Sequence, residues 1–260
     1  MAAYALIGEK LGHSYSKIIH EKFYKEKNLS DTYELIEIPK GKLKEEIKRI
    51  SDGYDGINVT IPYKRDIMEL IDDLSPEARD IGAVNTVKFE NGFAKGYNTD
   101  YFGLKCTLNV NYIDIKNKNI VILGTGGVSK AALAVCRDMG ASDITFVSTS
   151  SPVIGDYRVL TYDDTIEGDV LINCTPVGMY PDVGVSPISH ISAGFSAVVD
   201  TIYNPAVTCL MEIAMQNGIK AVSGLYMLVS QAMYSQAIWK GENTDTSIIE
   251  KIYKDIVRGF

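Results

Sequence analysis

The sequence predicts an α/β protein with two α/β domains, an N-terminal unit followed by a Rossmann-like dinucleotide-binding domain. Three observations carry this. Short apolar strands alternate with amphipathic helices through roughly the first hundred residues. A second series of strands begins at Ile120. The stretch between Ile120 and Ala134, IVILGTGGVSKAALA, reads as strand, glycine turn and helix without interruption. Ile120 to Leu123 is β-branched and apolar throughout, as a strand buried on both faces requires. Gly124, Gly126 and Gly127 follow at once, and Val128, Ala131, Ala132, Val135 and Met139 then recur at helical spacing, with Gly140 placed to end the helix. In that context Gly124 permits the tight turn, Gly126 lets the backbone approach a pyrophosphate, and the helix N-terminus offers free N–H groups to the phosphates. The third motif position is Ser129 rather than glycine, while Ala131 and Ala132 remain small enough for close helix–strand packing.

Taken in order, Tyr4 to Ile7 is a strand, Gly8 to Ser16 a loop containing His13, and Lys17 to Leu29 a helix. Tyr33 to Ile38 alternates as a strand does, and Leu43, Ile47 and Ile50 mark a second helix. Gly56 to Val59 is a strand that Pro62 ends, and Arg65 to Ile71 a short helix. Ser75-Pro76-Glu77 is a helix start, with the serine as N-cap and proline in the first turn. A hairpin turns near Asn91-Gly92, and Tyr101 to Leu108 is helical. Asn109 to Asn119 is polar and linker-like. Beyond Ile120, strands are expected at 144–147, 170–173, 197–200 and 220–222, and helices at 224–239 and 246–257. The expected division is residues 1–105 for the first domain and 106–224 for the nucleotide-binding domain, with the helices of about 225–260 still to be placed.

Composition narrows the function. The chain has 260 residues and a formal net charge of −7, which leaves no electrostatic footprint for nucleic acid or an anionic membrane. Four well-separated cysteines without a CxxC pair, and only three histidines, give neither a disulfide framework nor a zinc site, so no metal is expected and the thiols suit a reducing cytoplasm. The start of the chain has no basic region leading into a long apolar one, so no signal peptide is expected. The uncharged run from Ala221 to Trp239 contains glycine, serines and glutamines, and reads as a buried helix rather than a membrane span. Polar residues cluster in four segments at strand ends: Ser14 and Ser16, Asn58-Thr60-Lys64, Asn85-Thr86, and Asn98-Asp100. Ser, Thr, Asn and Asp are ordinary turn and cap formers. In an open α/β sheet, however, such loops gather outside the carboxyl ends of the strands, where ligands bind. Lys64 is the one cation among them and Asp100 the one carboxylate, a pair able to manage one proton and one hydroxyl.

These segments resemble, in order and across essentially the whole chain, those of the shikimate dehydrogenase family. The resemblance is carried by Ser14-Tyr15-Ser16, NVTIPYK at Asn58 to Lys64, GAVNT at Gly82 to Thr86 and GYNTD at Gly96 to Asp100. It continues through GTGG at Gly124 to Gly127, NCTPVGM at Asn173 to Met179, DTIYNP at Asp200 to Pro205 and GLYMLVSQA at Gly224 to Ala232. It implies reversible NADPH-dependent reduction of 3-dehydroshikimate to shikimate by two α/β domains, with the C-terminal helices returning to the first. Lys64 and Asp100 would be catalytic, Ser14 and Ser16 would take the substrate carboxylate, and Thr60, Asn85, Asp100 and Gln231 the ring hydroxyls, with Tyr203 also lining the site. Gly124, Gly126 and Gly127 would hold the pyrophosphate and Gly224 would let the nicotinamide approach. Where the family usually has Asn-Arg-Thr to receive the adenosine 2′-phosphate, this chain has Ser148-Thr149-Ser150. NADP is therefore expected with NAD still possible, the 2′-phosphate falling to Ser148 and Thr149. The expected partner is a small-molecule substrate, handled by a monomer or homodimer. A quinate/shikimate dehydrogenase and a non-catalytic NADP(H)-binding regulator are the alternatives on the same fold.

Overall fold

The computed structural model describes residues 1–12, 14–150 and 153–258; His13 of the first loop and Ser151, the end of the serine-threonine run, lie outside them. The chain divides into two compact units, one of residues 1–103 with 229–260, the other of residues 104–228.

The first unit holds strands β1 (Ala3–Gly8), β2 (Thr32–Glu37), β3 (Gly56–Val59), β4 (Asp73–Leu74), β5 (Thr86–Glu90) and β6 (Phe93–Tyr97) in the order β2-β1-β3-β5-β6-β4. β1 pairs in parallel with β2 and β3, whereas β5 runs antiparallel to both β3 and β6. β5 and β6 are joined by the hairpin at Asn91-Gly92, whose φ values of 53° and 76° are those a tight two-residue turn demands. The direction of β5 matters for the site: because β5 runs backwards, its beginning lies beside the end of β3, with Asn58 opposite Thr86. Helices α1 (Ser16–Glu26), α2 (Leu43–Gly53) and α3 (Pro76–Ile81) connect these strands, and Arg65 to Ile71, read from sequence as a helix, forms a 3-10 turn over Asp66–Leu70. Ser75 caps α3 by accepting the Ala78 N–H at 3.3 Å. One apolar cluster joins Ile7, Ile57, Val59 and Val87 of the sheet to Leu43, Ile47 and Ile50 of α2.

The second unit is an all-parallel sheet of β7 (Asn119–Leu123), β8 (Asp143–Val147), β9 (Arg158–Leu160), β10 (Val170–Asn173), β11 (Ala197–Asp200) and β12 (Lys220–Val222), ordered β12-β11-β10-β7-β8-β9. That is the doubly wound order of a dinucleotide-binding domain. Ile120 to Leu123 are fully buried, and Ala131 and Ala132 of helix α5 (Gly127–Asp138) pack with no exposed surface. Helix α4 (Thr99–Val110) carries the chain from one unit into the other. Helix α6 (Cys209–Gln216) and strand β9 were not expected from the sequence; both are short.

Helix α7 (Leu225–Lys240) carries the chain back, and from Val229 it belongs with the first unit, as does α8 (Thr246–Val257). Its lack of charge before Lys240 follows from burial: Val229, Ala232, Met233 and Trp239 are covered, and Gly56 of β3 leaves the space that the Trp239 ring fills. Among the described residues no helix is long and apolar enough to cross a membrane, no cluster of metal-ligating side chains occurs, and Cys106, Cys136, Cys174 and Cys209 form no disulfide.

Candidate active site

In the first unit the polar segments converge on the edge formed by the ends of β1, β3 and β6 and the beginning of β5. Lys64 follows the loop after β3, and its backbone C=O accepts the Val84 N–H at 2.7 Å, tying that loop to the GAVNT segment. Asp100 stands in the first turn of α4. The Lys64 ammonium donates to Asp100 Oδ2 at 2.6 Å, and both side chains are largely covered. The Asn85 amide donates from Nδ2 to the other carboxylate oxygen, Oδ1, at 2.9 Å. Asn85 cannot be turned the other way, because its Oδ1 accepts the backbone N–H of Thr99 at 2.7 Å. Both Asp100 oxygens and the orientation of Asn85 are thus fixed by groups of known polarity.

Behind this trio lies a buried hydroxyl cluster. Thr86, Thr99 and Ser235 place their Oγ atoms within 2.9–3.3 Å of one another. Asn58 Nδ2 donates into it, at 3.0 Å to Thr86 and 2.9 Å to Ser235, while Asn58 Oδ1 accepts from the Tyr33 hydroxyl at 2.8 Å. Thr99 Oγ1 donates to Gln231 Oε1 at 3.3 Å, which brings Gln231, 131 positions beyond Asp100 in the chain, into the same network. Ser235 was missed in the sequence reading. Its signal was there, one helical turn after Gln231 on the same face of α7.

Ser14 lies in the loop that leaves the carboxyl end of β1, and Ser16 is the first residue of α1. Ser14 Oγ donates to Ser16 Oγ at 3.1 Å and accepts the Ser16 N–H at 3.2 Å, so the two hydroxyls are paired with each other. Thr60 ends β3, and Gly8 leaves room for its methyl group. One turn beyond Ser16, His20 is fully buried, stacked on Tyr33 at 4.0 Å, and accepts at Nδ1 from Gln236 at 2.7 Å; burial pushes it down to about 3.

In the second unit Gly124 turns at φ 90°, where a side chain would be strained, and also approaches the Thr175 methyl. Gly126 is different: its φ of −77° suits any residue, and a Cβ there would meet nothing within 4 Å. The protein's own packing makes no demand for glycine at 126. Gly126 is also the N-cap of α5 and brings no side-chain cap, so the N–H groups of that helix end stay available to an anion. Gly224 lies against the Thr201 carbonyl, an approach a Cβ would forbid. Ser148 is buried just past β8, with its N–H bonded to the Leu160 C=O at 2.9 Å, and Thr149 and Ser150 are exposed beside it. Tyr203 is half-buried in the loop after β11 and belongs to this second unit. At the ends of β10 and β11, Asp200 is fully buried; burial raises its carboxyl, opposed by the hydrogen bonds it accepts from Thr208, Ile202 and Asn173.

The family model for the shikimate dehydrogenase substrate-binding domain matches residues 6–87, the stretch from β1 into β5 that carries Ser14, Ser16, Lys64 and Asn85. A curated relative from Clostridium beijerinckii, named shikimate dehydrogenase (NADP(+)), is 40% identical over 97% of this chain and 97% of its own. The chain belongs to the shikimate dehydrogenase family. Among solved structures, shikimate dehydrogenase 1 from Peptoclostridium difficile superposes with a TM-score of 0.92 at 40% identity, covering 98% of both chains. The Thermus thermophilus shikimate 5-dehydrogenase, solved in complex with NADP(H) and shikimate, is 28% identical with a TM-score of 0.87, covering 98% of this chain and 99% of that one.

Proposed function

We propose that Lys64 and Asp100 carry proton transfer in the reversible reduction of 3-dehydroshikimate to shikimate, and that Ser14, Ser16, Thr60, Asn85, Tyr203 and Gln231 hold the substrate. The chain is an NADP-dependent shikimate dehydrogenase, an oxidoreductase of the shikimate pathway that acts on a CH–OH group. The observation that carries the residue assignment is the Lys64–Asp100–Asn85 trio, with the Ser14–Ser16 pair beyond the carboxyl end of β1.

The residues around Gly126 and the uncapped start of α5 suit the pyrophosphate of NADP, with Ser148, Thr149 and Gly224 as its further contacts. When bound, the cofactor supplies the hydride. The protein's part is proton handling and orientation. In the direction of reduction, the Lys64 ammonium donates a hydrogen bond to the carbonyl oxygen and passes its proton there as the alcohol forms. In reverse, Lys64 takes the hydroxyl proton. Asp100 keeps Lys64 aimed and offers its carboxylate to a ring hydroxyl. Asn85 keeps one Nδ2 hydrogen beyond the one given to Asp100, and directs it at a substrate oxygen. The paired Ser14 and Ser16 hydroxyls receive the carboxylate.

We place the enzyme in the cytoplasm, as a monomer or homodimer, with a small molecule rather than nucleic acid or membrane as its partner. The net charge of −7 supports a small molecule over nucleic acid or an anionic membrane as the partner. The relatives named above are enzymes by name, which gives no support to a non-catalytic regulator or to quinate as the substrate. The test is the absorbance of reduced cofactor on mixing enzyme, NADP and shikimate. Production that disappears in Lys64→Ala supports the assignment, and production that survives there at full kcat removes it.

A further inference from the structure

The DTIYNP segment supplies a buried carboxylate that the proposed reaction does not use. Asp200 has no exposed surface and lies opposite Asn173 in the β10–β11 register. Its Oδ1 accepts from Asn173 Nδ2 at 3.0 Å and from the Ile202 N–H at 3.0 Å, and its Oδ2 accepts from Thr208 Oγ1 at 2.7 Å. Asn173 is thereby oriented with its Oδ1 away from the carboxylate, where it accepts both the N–H and the hydroxyl of Thr175, at 3.0 and 2.7 Å. So held, the Thr175 methyl lies where it would meet a Cβ on Gly124 at 2.9 Å. On the other side, the Asp200-bound Ile202 gives its C=O to the Gly224 N–H at 2.9 Å, and Gly224 itself packs on the Thr201 carbonyl. One carboxylate is therefore common to the loops after β10 and β11 and, through Thr175 and Ile202, bears on the turn after β7 and the start of α7.

We propose that Asp200 is a positioning residue for the dinucleotide: through Asn173 and Thr175 it sets the Gly124 turn, and through Ile202 it sets Gly224, so that both glycines present their backbone to the cofactor in one fixed geometry. Asp200 touches no ligand itself. The inference rests on reading Gly124 to Gly127 and Gly224 as cofactor contacts. It differs from a merely structural role in what it predicts. The glycine turn and Gly224 meet parts shared by NADP and NAD, so disturbing Asp200 weakens both cofactors by the same factor. The substrate residues of the first unit depend on a separate hydrogen-bond network and are left alone.

The experiment measures Kd for NADP+ and for NAD+ by fluorescence titration, and KM for shikimate at saturating cofactor, in wild type, Asp200→Ala, Asp200→Asn and Gly126→Val. Asp200→Ala orphans three buried donors and is expected to weaken both cofactors by about tenfold or more. KM for shikimate should move much less than the cofactor Kd, since Tyr203 alone of the proposed substrate residues lies in the loop that Asp200 holds and the others belong to the hydrogen-bond network of the first unit. Asp200→Asn keeps Oδ1 for Asn173 and Ile202, and its amide donates to Thr208 in place of accepting, so binding is expected close to wild type. Where Asp200→Ala fails to fold, Thr175→Val carries the test; it removes the hydroxyl at the far end of the chain, keeps the methyl group, and is expected to weaken both cofactors alike. Loss of shikimate binding as large as that of cofactor binding, or loss of NADP binding alone, overturns the inference. If Gly126→Val weakens cofactor binding and neither Asp200→Ala nor Thr175→Val does, the inference falls while the cofactor site stands. If Gly126→Val leaves binding intact, the cofactor site falls and takes the inference with it.

Discussion

Cofactor discrimination is expected to turn on Thr149. It lies exposed just past the end of β8, the place where the 2′ substituent of the adenosine ribose falls in a dinucleotide-binding domain, and it carries no charge. Arg158 is the nearest arginine in sequence, and the sheet register takes it away from that end. Arg158 is opposite Thr145, so it lies level with a residue four positions before Thr149, about 13 Å along the strands. Neither an arginine to attract a 2′-phosphate nor an acid to repel one stands at Ser148, Thr149 or Ser150. The expected wild-type behaviour is a modest preference for NADP, made by hydroxyl and backbone donors. Thr149→Arg adds a charged hydrogen bond worth about 1.5–3 kcal/mol, and exposure at this position argues for the lower end. At about 1.5 kcal/mol, kcat/KM for NADP should rise by about tenfold, with kcat/KM for NAD unchanged. The assay is initial-rate kinetics with each cofactor at saturating shikimate, in wild type and Thr149→Arg. A wild-type preference for NADP of about a thousandfold or more would exceed what uncharged donors supply and refute the reasoning. So would equal gains for NAD and NADP in the variant.

Three other expectations follow from the first unit. Lys64→Ala should lower kcat by about 10²–10⁴-fold, the span of a positioned acid–base group, and an unchanged kcat with a raised KM would make Lys64 a binding residue only. Ser16→Ala should weaken shikimate by about 1.5–3 kcal/mol through loss of a charge-assisted bond, and leave its methyl ester much less affected; equal losses would remove the carboxylate assignment. Buried His20 is held near 3 while the unfolded chain titrates near 6.5, so below that value the unfolded state binds a proton the folded state refuses. Denaturant melts at pH 7 and 4.5 should differ by about 2–3 kcal/mol on its account, stability falling as pH falls, and His20→Gln should shrink that difference; an unchanged difference would assign it to other groups.

What could be read from the sequence divides along physical lines. The strand–turn–helix at Ile120 was legible because a strand covered on both faces must be apolar throughout, and because glycine alone tolerates the φ of 90° at residue 124. The hairpin at Asn91-Gly92 and the Ser75 cap were legible from local chemistry in the same way. Strand β9 was not: three residues, partly exposed, carry no period to read. Nor was α6, whose eight residues follow Thr208, a cap that looks like any loop threonine until it is seen accepting the Met211 N–H. At the site, residue types were legible and their polarity was not. That Asn85 donates to Asp100, rather than accepting a proton from it, depends on the Thr99 backbone N–H 14 positions away. That Ser235 belongs with Thr86 depends on contact across 149 positions. Such facts belong to tertiary packing, which no local pattern encodes.

The electrostatics of the two units share a logic. The chain is acidic, yet its substrate and its cofactor are both anions. The one cation at the substrate edge is already committed: Lys64 meets Asp100 at 2.6 Å, so as a pair they bring little net charge to a substrate carboxylate. On the proposed assignment, recognition of that carboxylate would fall to neutral donors, the Ser14 and Ser16 hydroxyls, with Ser14 turning to the ligand the proton it gives to Ser16. The second unit would repeat the arrangement with the uncapped N-terminus of α5 and the hydroxyls past β8. Neutral donors held in place are selective by geometry, since a hydroxyl pair or a helix end satisfies an anion only when it sits where the donors point. A free lysine would attract any anion from any direction. On the proposed assignment, pairing Lys64 with Asp100 would keep its charge for the reacting oxygen, and would leave the orientation of the substrate to groups whose positions the fold has already set.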